Sequence, residues 1–207
     1  MASTTPNRRD PPAALGFSVH TGWAAAVLLA GPLDEPQVLA RERVVLADEE
    51  HFDESRFVYH GSQERSLVDA ERAVRATTKV AHAQAEQAVR ALITTAGQRR
   101  HRVIGSGVAL APRKLPGLAD ILRAHTLIHA AEGELFGRAL VAGSEAAGLT
   151  ALSVAPKAIP ARAAAALGVK EEALAERIIA LGKRAGRPWA QDQRVAAMLA
   201  LVVLAER

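Results

Sequence analysis

Two apolar runs separated by a short break lie near the amino terminus, and they constrain the fold of this chain more than any other feature. The stretch reads LGFSVHTGWAAAVLLAG, from Leu15 to Gly31, and the break falls at His20-Thr21-Gly22. Short apolar runs joined through such a tight turn are typical of a β-hairpin. The segment that follows, QVLARERVVLAD, alternates apolar and charged residues and predicts a third strand with one more solvent-exposed face. The sequence therefore predicts an antiparallel meander.

Helices and buried strands alternate in the rest of the chain. Apolar residues at helical spacings predict a long helix from Ser66 to about Ala96, and RVIGSGVAL after it predicts a buried strand. A second long helix is predicted from Pro116 to Gly148, then a buried strand at LTALSV, and then three helices, ARAAAALG, KEEALAERIIALGKR and WAQDQRVAAMLALVVLAER. Strands joined through helices favour parallel pairing. We therefore expect an α/β fold with a mixed sheet of about five strands, the first three antiparallel, flanked by helices.

Length and composition bound the domain organisation and the chemistry. The chain of 207 residues can form one packed domain, predicted for residues 14–207, after a polar, Pro-rich tail predicted to be disordered at residues 1–13. The absence of cysteine excludes disulfides, thiolate zinc sites and a cysteine nucleophile. The sequence shows neither a signal peptide nor an apolar run of membrane-spanning length. We expect a cytoplasmic protein with no membrane partner.

The basic residues, which are mostly arginines, predict a partner. The formal net charge is +4. One basic group precedes the fourth predicted strand and another follows it, and together they comprise Arg99, Arg100, Arg102, Arg113 and Lys114. Such clusters can neutralise the phosphates of a nucleic-acid duplex or junction. The alternative is a solvated surface whose arginine bias reflects genome composition. We also expect a homodimer.

The order of the elements resembles that of the ribonuclease H-like superfamily, and in particular the RuvC family of Holliday-junction resolvases. The segments that carry the resemblance are LGFSVHTGWAAAVL, AEGELFGRALVAGSEAAGLTALSVAPKAIPARAAAALG and VKEEALAERIIALGKRAGRPWAQDQRVAAMLALVVLAE. They are similar to the family's opening strand-turn-strand, to its central helix with the following strand and short helix, and to its closing helices. The resemblance touches most of residues 14–206 and implies a three-layer ribonuclease H-like fold.

The same resemblance implies that the family's catalytic acids are missing. Such nucleases hold two divalent metals with carboxylates on the first strand, the fourth strand and the last helix. The matching positions here are Ser18, Ser106, Arg194 and Ala197, although Asp192 lies one turn earlier on the last helix. Magnesium prefers anionic oxygen ligands, which these residues do not supply. We therefore expect no catalytic residue, metal or cofactor, and interpret the chain as a catalytically inactive module that binds nucleic acid or another protein.

Two other interpretations stay open. His125 and His129, at positions i and i+4 of the second long helix, with Glu132 one turn on, would suit a zinc or iron site. With His20 at the end of the first strand they would form a rebuilt site of a metal-dependent enzyme or hydrolase, although a Gly-x-Ser-x-Gly elbow is lacking. The strand meander also resembles the middle domain of release-factor-like proteins, which would imply contact with RNA.

Overall fold

The first strand begins earlier than the sequence predicts. The computed structural model describes residues 10–111 and 113–206, so residues 1–9 of the predicted tail lie outside the described residues. Pro12 and Ala13, which the sequence predicts to lie in that tail, instead begin strand β1. The reason is a parallel partner, because Pro12 pairs with Arg102 of the fourth strand, and proline is tolerated as the first residue of a strand.

Five strands and seven α-helices make up the described residues. The strands are β1 (Pro12–His20), β2 (Trp23–Ala30), β3 (Gln37–Val45), β4 (Arg102–Ala109) and β5 (Ala151–Val154). The helices are α1 (Phe52–Arg56), α2 (Leu67–Gln98), α3 (Leu118–Arg123), α4 (His125–Ala146), α5 (Ile159–Ala166), α6 (Glu171–Ala185) and α7 (Gln191–Ala205). Single turns of 3-10 helix lie at His60–Ser62 and Pro156–Ala158.

All five strands form one mixed sheet in the order β3-β2-β1-β4-β5. The pairs β1–β2 and β2–β3 are antiparallel, whereas β4 is parallel to both β1 and β5. The predicted α/β fold, with a mixed five-stranded sheet whose first three strands are antiparallel and which is flanked by helices, is therefore confirmed. Because β1, β4 and β5 run in the same direction, they end at one edge of the sheet, at His20, Ala109 and Val154. We call this the cleft edge.

Alternating residues of β1 separate the two helical layers. Leu15 and Phe17 belong to a core with residues of α2 and α4, including Leu92 and Phe136. Ala14 belongs to the core on the other face, which is built with α5, α6 and α7. This alternation follows from the two-residue period of a strand. None of the helices in the described residues is long and apolar enough to cross a membrane.

The prediction of one long helix from Pro116 to Gly148 is wrong in its first part, where the structure has two helices, α3 and α4. Ala124 has an extended backbone, with φ of −126° and ψ of 109°, which separates α3 from α4. The break allows Ile121 and Ile128 to pack into one small apolar cluster with Ala131. Periodicity could not reveal the break, because the apolar positions on its two sides still follow helical spacing.

Candidate ligand cleft and histidine cluster

A cleft of about 400 Å³ opens at the cleft edge, between the end of β1 and the first turns of α4. His20 and Thr21 line it from the turn after β1, and His129 and Gly133 line it from α4. The chain that follows β4 and β5 closes its remaining sides, at Ala111 and Pro156 among others. The carboxyl ends of parallel strands are the usual location of ligands in open α/β sheets, so this cleft is the first candidate site.

On one side of the cleft, Ser18 and His20 share a carboxylate oxygen of Asp192. The Ser18 hydroxyl lies 3.3 Å from Oδ1 of Asp192, and Nε2 of His20 lies 2.8 Å from the same atom. The close approach of α7 to β1 brings these groups together. A Cβ atom at Gly16 would lie only 1.8 Å from the carbonyl oxygen of Ala196, one turn after Asp192.

A stack of flat side chains holds His20 in place. The ring of His20 lies parallel to that of Trp23, with 4.2 Å between the ring centroids and 5° between their planes. The guanidinium carbon of Arg43 lies 4.0 Å from the centre of the Trp23 ring, in a cation–π contact. The antiparallel pairs His20–Trp23 and Ala25–Arg43 put these side chains on one face of the sheet.

Across the cleft, three histidines cluster together, and one of them, His60, contacts a buried carboxylate. The ring centroid of His125 lies 4.4 Å from that of His129, and His60 joins them at 5.1 and 4.8 Å respectively. Glu132 is only 1% exposed, and both its carboxylate oxygens lie 3.0 Å from Nδ1 of His60. The backbone N–H of His60 donates to Oε1 of the same carboxylate at 3.2 Å. The 3-10 turn and the start of α4 thus meet through Glu132.

A larger cavity of about 790 Å³ lies beside the cleft and contains a second buried acid. Glu134 is 5% exposed and accepts a hydrogen bond from Nε of Arg138 at 2.6 Å. Its Oε2 atom is buried and has no hydrogen-bond partner among residues 10–111 and 113–206. Burial raises the pKa of the neighbouring Tyr59, and the negative charges of Glu132 and Glu134 raise it further.

The residues that the resemblance to RuvC matches with the family's acids do not converge on one point. Ser18 lies at the cleft edge beneath Asp192, but Ser106 is fully buried within the sheet and donates to the Ser144 hydroxyl of α4 at 2.8 Å. Ala197 is buried in the core between the sheet and α7. Arg194 lines two other clefts beside α6 instead. On α7, Asp192 is thus the residue that lies over the end of β1.

The residues of the predicted rebuilt site divide into two groups. His125, His129 and Glu132 lie together, whereas His20 is paired with Asp192 and shares only the cleft with His129. The sequence did not indicate His60, because it is far from α4 in the chain and no local spacing connects the two. Glu134 was also missed, since one acid among several on a helix gives no sign of burial.

The two predicted basic groups lie at opposite ends of β4. Arg99 and Arg100 are exposed and precede the strand, and Arg102 begins it. Arg113 and Lys114 are exposed at the cleft edge, and both line the larger cavity. At about 3.3 Å per residue, the strand separates the two groups by roughly 25 Å. A small ligand therefore cannot contact both groups.

Comparison with known proteins finds solved structures that align with most of the chain. No family model matches the sequence, and no curated protein matches it. Two solved structures of RuvC from Thermus thermophilus, one of them in complex with a Holliday junction substrate, are each 13% identical to the chain, with a TM-score of 0.49. Each alignment covers 92% of this chain, and covers 90% of the RuvC chain in the complex and 92% in the other structure.

Proposed function

We propose that the protein is a ribonuclease H-like, RuvC-like module that binds nucleic acid at the cleft edge and does not cleave it. The observation that carries the proposal is the separate pairing of three carboxylates around the cleft. Asp192 is bound by His20, Glu132 by His60 and Glu134 by Arg138. A two-metal centre requires carboxylates that bind the same pair of cations, and the two cations lie about 3.5–4 Å apart.

The Arg138–Glu134 ion pair lowers the negative charge that the cleft presents to a phosphate. Arg113 and Lys114 are exposed beside it, and the exposed Arg43 lies over the face of the Trp23 ring. Cationic side chains bind nucleic-acid backbones by neutralising phosphates and releasing counterions.

Binding at the cleft edge should depend on salt and on the basic residues there. For a labelled duplex, fluorescence anisotropy over a salt series should give a log affinity that falls linearly with log salt, by about 0.9 per phosphate contacted. The variant R43A/R113A/K114A should bind more weakly, with a slope smaller by about one for each phosphate that is no longer neutralised. Single strands and four-way junctions should be measured alongside.

The opposite end of β4 supplies the matched control. R99A/R100A/R102A removes the same formal charge, and should leave the salt slope for the duplex unchanged. If this variant alone lost affinity, binding would lie at the other edge of the sheet and the cleft assignment would be wrong. If no duplex, junction or single strand bound at low salt, nucleic acid would be removed as a partner. The expected homodimer stays a prediction.

Cleavage should be absent even with metal present. With magnesium or manganese, the purified protein should leave branched DNA and an RNA–DNA hybrid intact, because Ser18 and Ser106 supply no anionic ligands. The variant S18D should stay inactive, since one added acid does not supply the carboxylate missing on β4. Gel analysis of end-labelled substrates checks this. Metal-dependent cleavage that survives repurification and disappears in D192N would contradict the proposal.

A further inference from the structure

We propose that His60, His125 and His129 bind a zinc-class divalent metal ion, with Glu132 as the residue that positions His60. This site goes beyond nucleic-acid binding and is independent of it. It also differs from a carboxylate centre, because it lies between α4 and the 3-10 turn at His60–Ser62, whereas Ser18 and Asp192 meet beneath α7. The ligands are three imidazoles, which suit zinc better than magnesium.

The positions of the imidazoles fit a metal. One ligand nitrogen from each of the three histidines lies within 4.8 Å of the others. Nitrogens bound tetrahedrally to zinc at about 2.0–2.1 Å are about 3.4 Å apart, so the rings must move closer only by about 1–1.5 Å. His125 and His129 are exposed and occupy adjacent turns of α4, so their side chains are free to rotate towards a common ion.

Glu132 prepares His60 for this role. An ionised carboxylate accepts hydrogen bonds but cannot donate them. The 3.0 Å contacts with Glu132 therefore place the proton of His60 on Nδ1. Nε2 then carries the free lone pair that a metal needs. Histidine ligands characteristically donate their other ring N–H to a carboxylate or carbonyl, which fixes the ring and increases its basicity. The backbone contact to His60 holds the same carboxylate from a second direction.

The metal also accounts for a buried carboxylate with a partly exposed partner. Glu132 is 1% exposed, whereas the His60 side chain is 27% exposed. Burying a carboxylate is costly unless an opposite charge compensates it. A cation bound at Nε2 of the neutral His60 imidazole supplies that charge, because the ring donates its one N–H from Nδ1 to Glu132. Three protein ligands leave a fourth position for water or a ligand, and His129 places the site beside the cleft.

Zinc titration of the untagged full-length protein tests the site. After removal of metals with a chelator, competition against a chromogenic zinc indicator should show one zinc bound per chain. Cobalt(II) should give the visible spectrum of a tetrahedral or five-coordinate nitrogen site. H60A and H129A should each abolish both signals. E132Q keeps the size of the side chain but weakens the hydrogen bond, and should lower zinc affinity by about 10- to 100-fold.

H101A is the matched control. His101 is a partly exposed histidine just before β4, and its ring bonds the carbonyl of Arg99, so this variant should bind zinc like the wild type. Circular dichroism checks that the variants fold, and the exposed position of His129 makes H129A the variant that should retain the fold. A wild-type protein that binds no zinc at micromolar concentration would overturn the proposal. Unchanged binding in H60A and H129A would also overturn it.

Discussion

G16A should unfold far more easily than the wild type. An added Cβ would lie 1.8 Å from the carbonyl oxygen of Ala196 and 2.8 Å from the amide nitrogen of Ala200, both in the backbone of α7. The helix cannot give way as a flexible side chain would, so it must move off the sheet. Overpacking of this kind costs about 3 kcal/mol. Urea unfolding, with the midpoint lowered and the m-value unchanged, would measure the loss.

G133A is the control for this change. Gly133 lies within α4, and in the described part of the chain a Cβ atom there would meet nothing within 4 Å beyond its own turns of helix. Because alanine favours helix over glycine, G133A should match the wild type or exceed its stability by up to about 1 kcal/mol. A G16A protein as stable as the wild type would show that α7 does not approach β1 so closely. The contact of Asp192 with Ser18 and His20 would then lose its structural basis.

The helices and strands with a clear apolar periodicity were predictable from the sequence. The hairpin at Leu15–Gly31 and the long helix from Ser66 rest on apolar periodicity, and the structure confirms both, with β1–β2 and α2. The parallel direction of β4 follows because α2 connects it to the meander. The interruption at Ala124 was not predictable, since it depends on the packing of Ile121 and Ile128 in three dimensions.

The candidate site was predicted only in part, for a related physical reason. Positions i and i+4 of one helix must share a face, so the pairing of His125 with His129 follows from spacing alone. The contribution of His60 depends on how the segment between β3 and α2 folds back over α4. That segment shows no regular pattern, although it contains α1 and a 3-10 turn. Burial of Glu132 and Glu134 likewise depends on tertiary packing.

Which face of α7 packs against β1 was likewise not predictable from the sequence. The resemblance to RuvC matches Arg194 and Ala197 with the family's acids, but the residues that face β1 form another row, spaced by four along the helix. Ala196 and Ala200 lie against Gly16, and Asp192 continues that row to the cleft edge. Which face of an apolar helix meets the sheet depends on small residues that permit close approach. In an alanine-rich helix, several faces qualify by sequence alone.

F17A and F136A should each lower the free energy of unfolding by about 3–5 kcal/mol, as expected for a cavity left by a buried phenylalanine. Both side chains are fully buried, and they belong to one core between the sheet and the α2–α4 layer. Urea unfolding should show both losses.

L67A is the control for these two variants. It truncates a side chain that is 46% exposed at the start of α2, and it should change stability by no more than about 0.5 kcal/mol. Equal stability of F136A and L67A would mean that α4 does not pack on this face of the sheet, and the histidine cluster at the start of α4 would then have to be placed elsewhere.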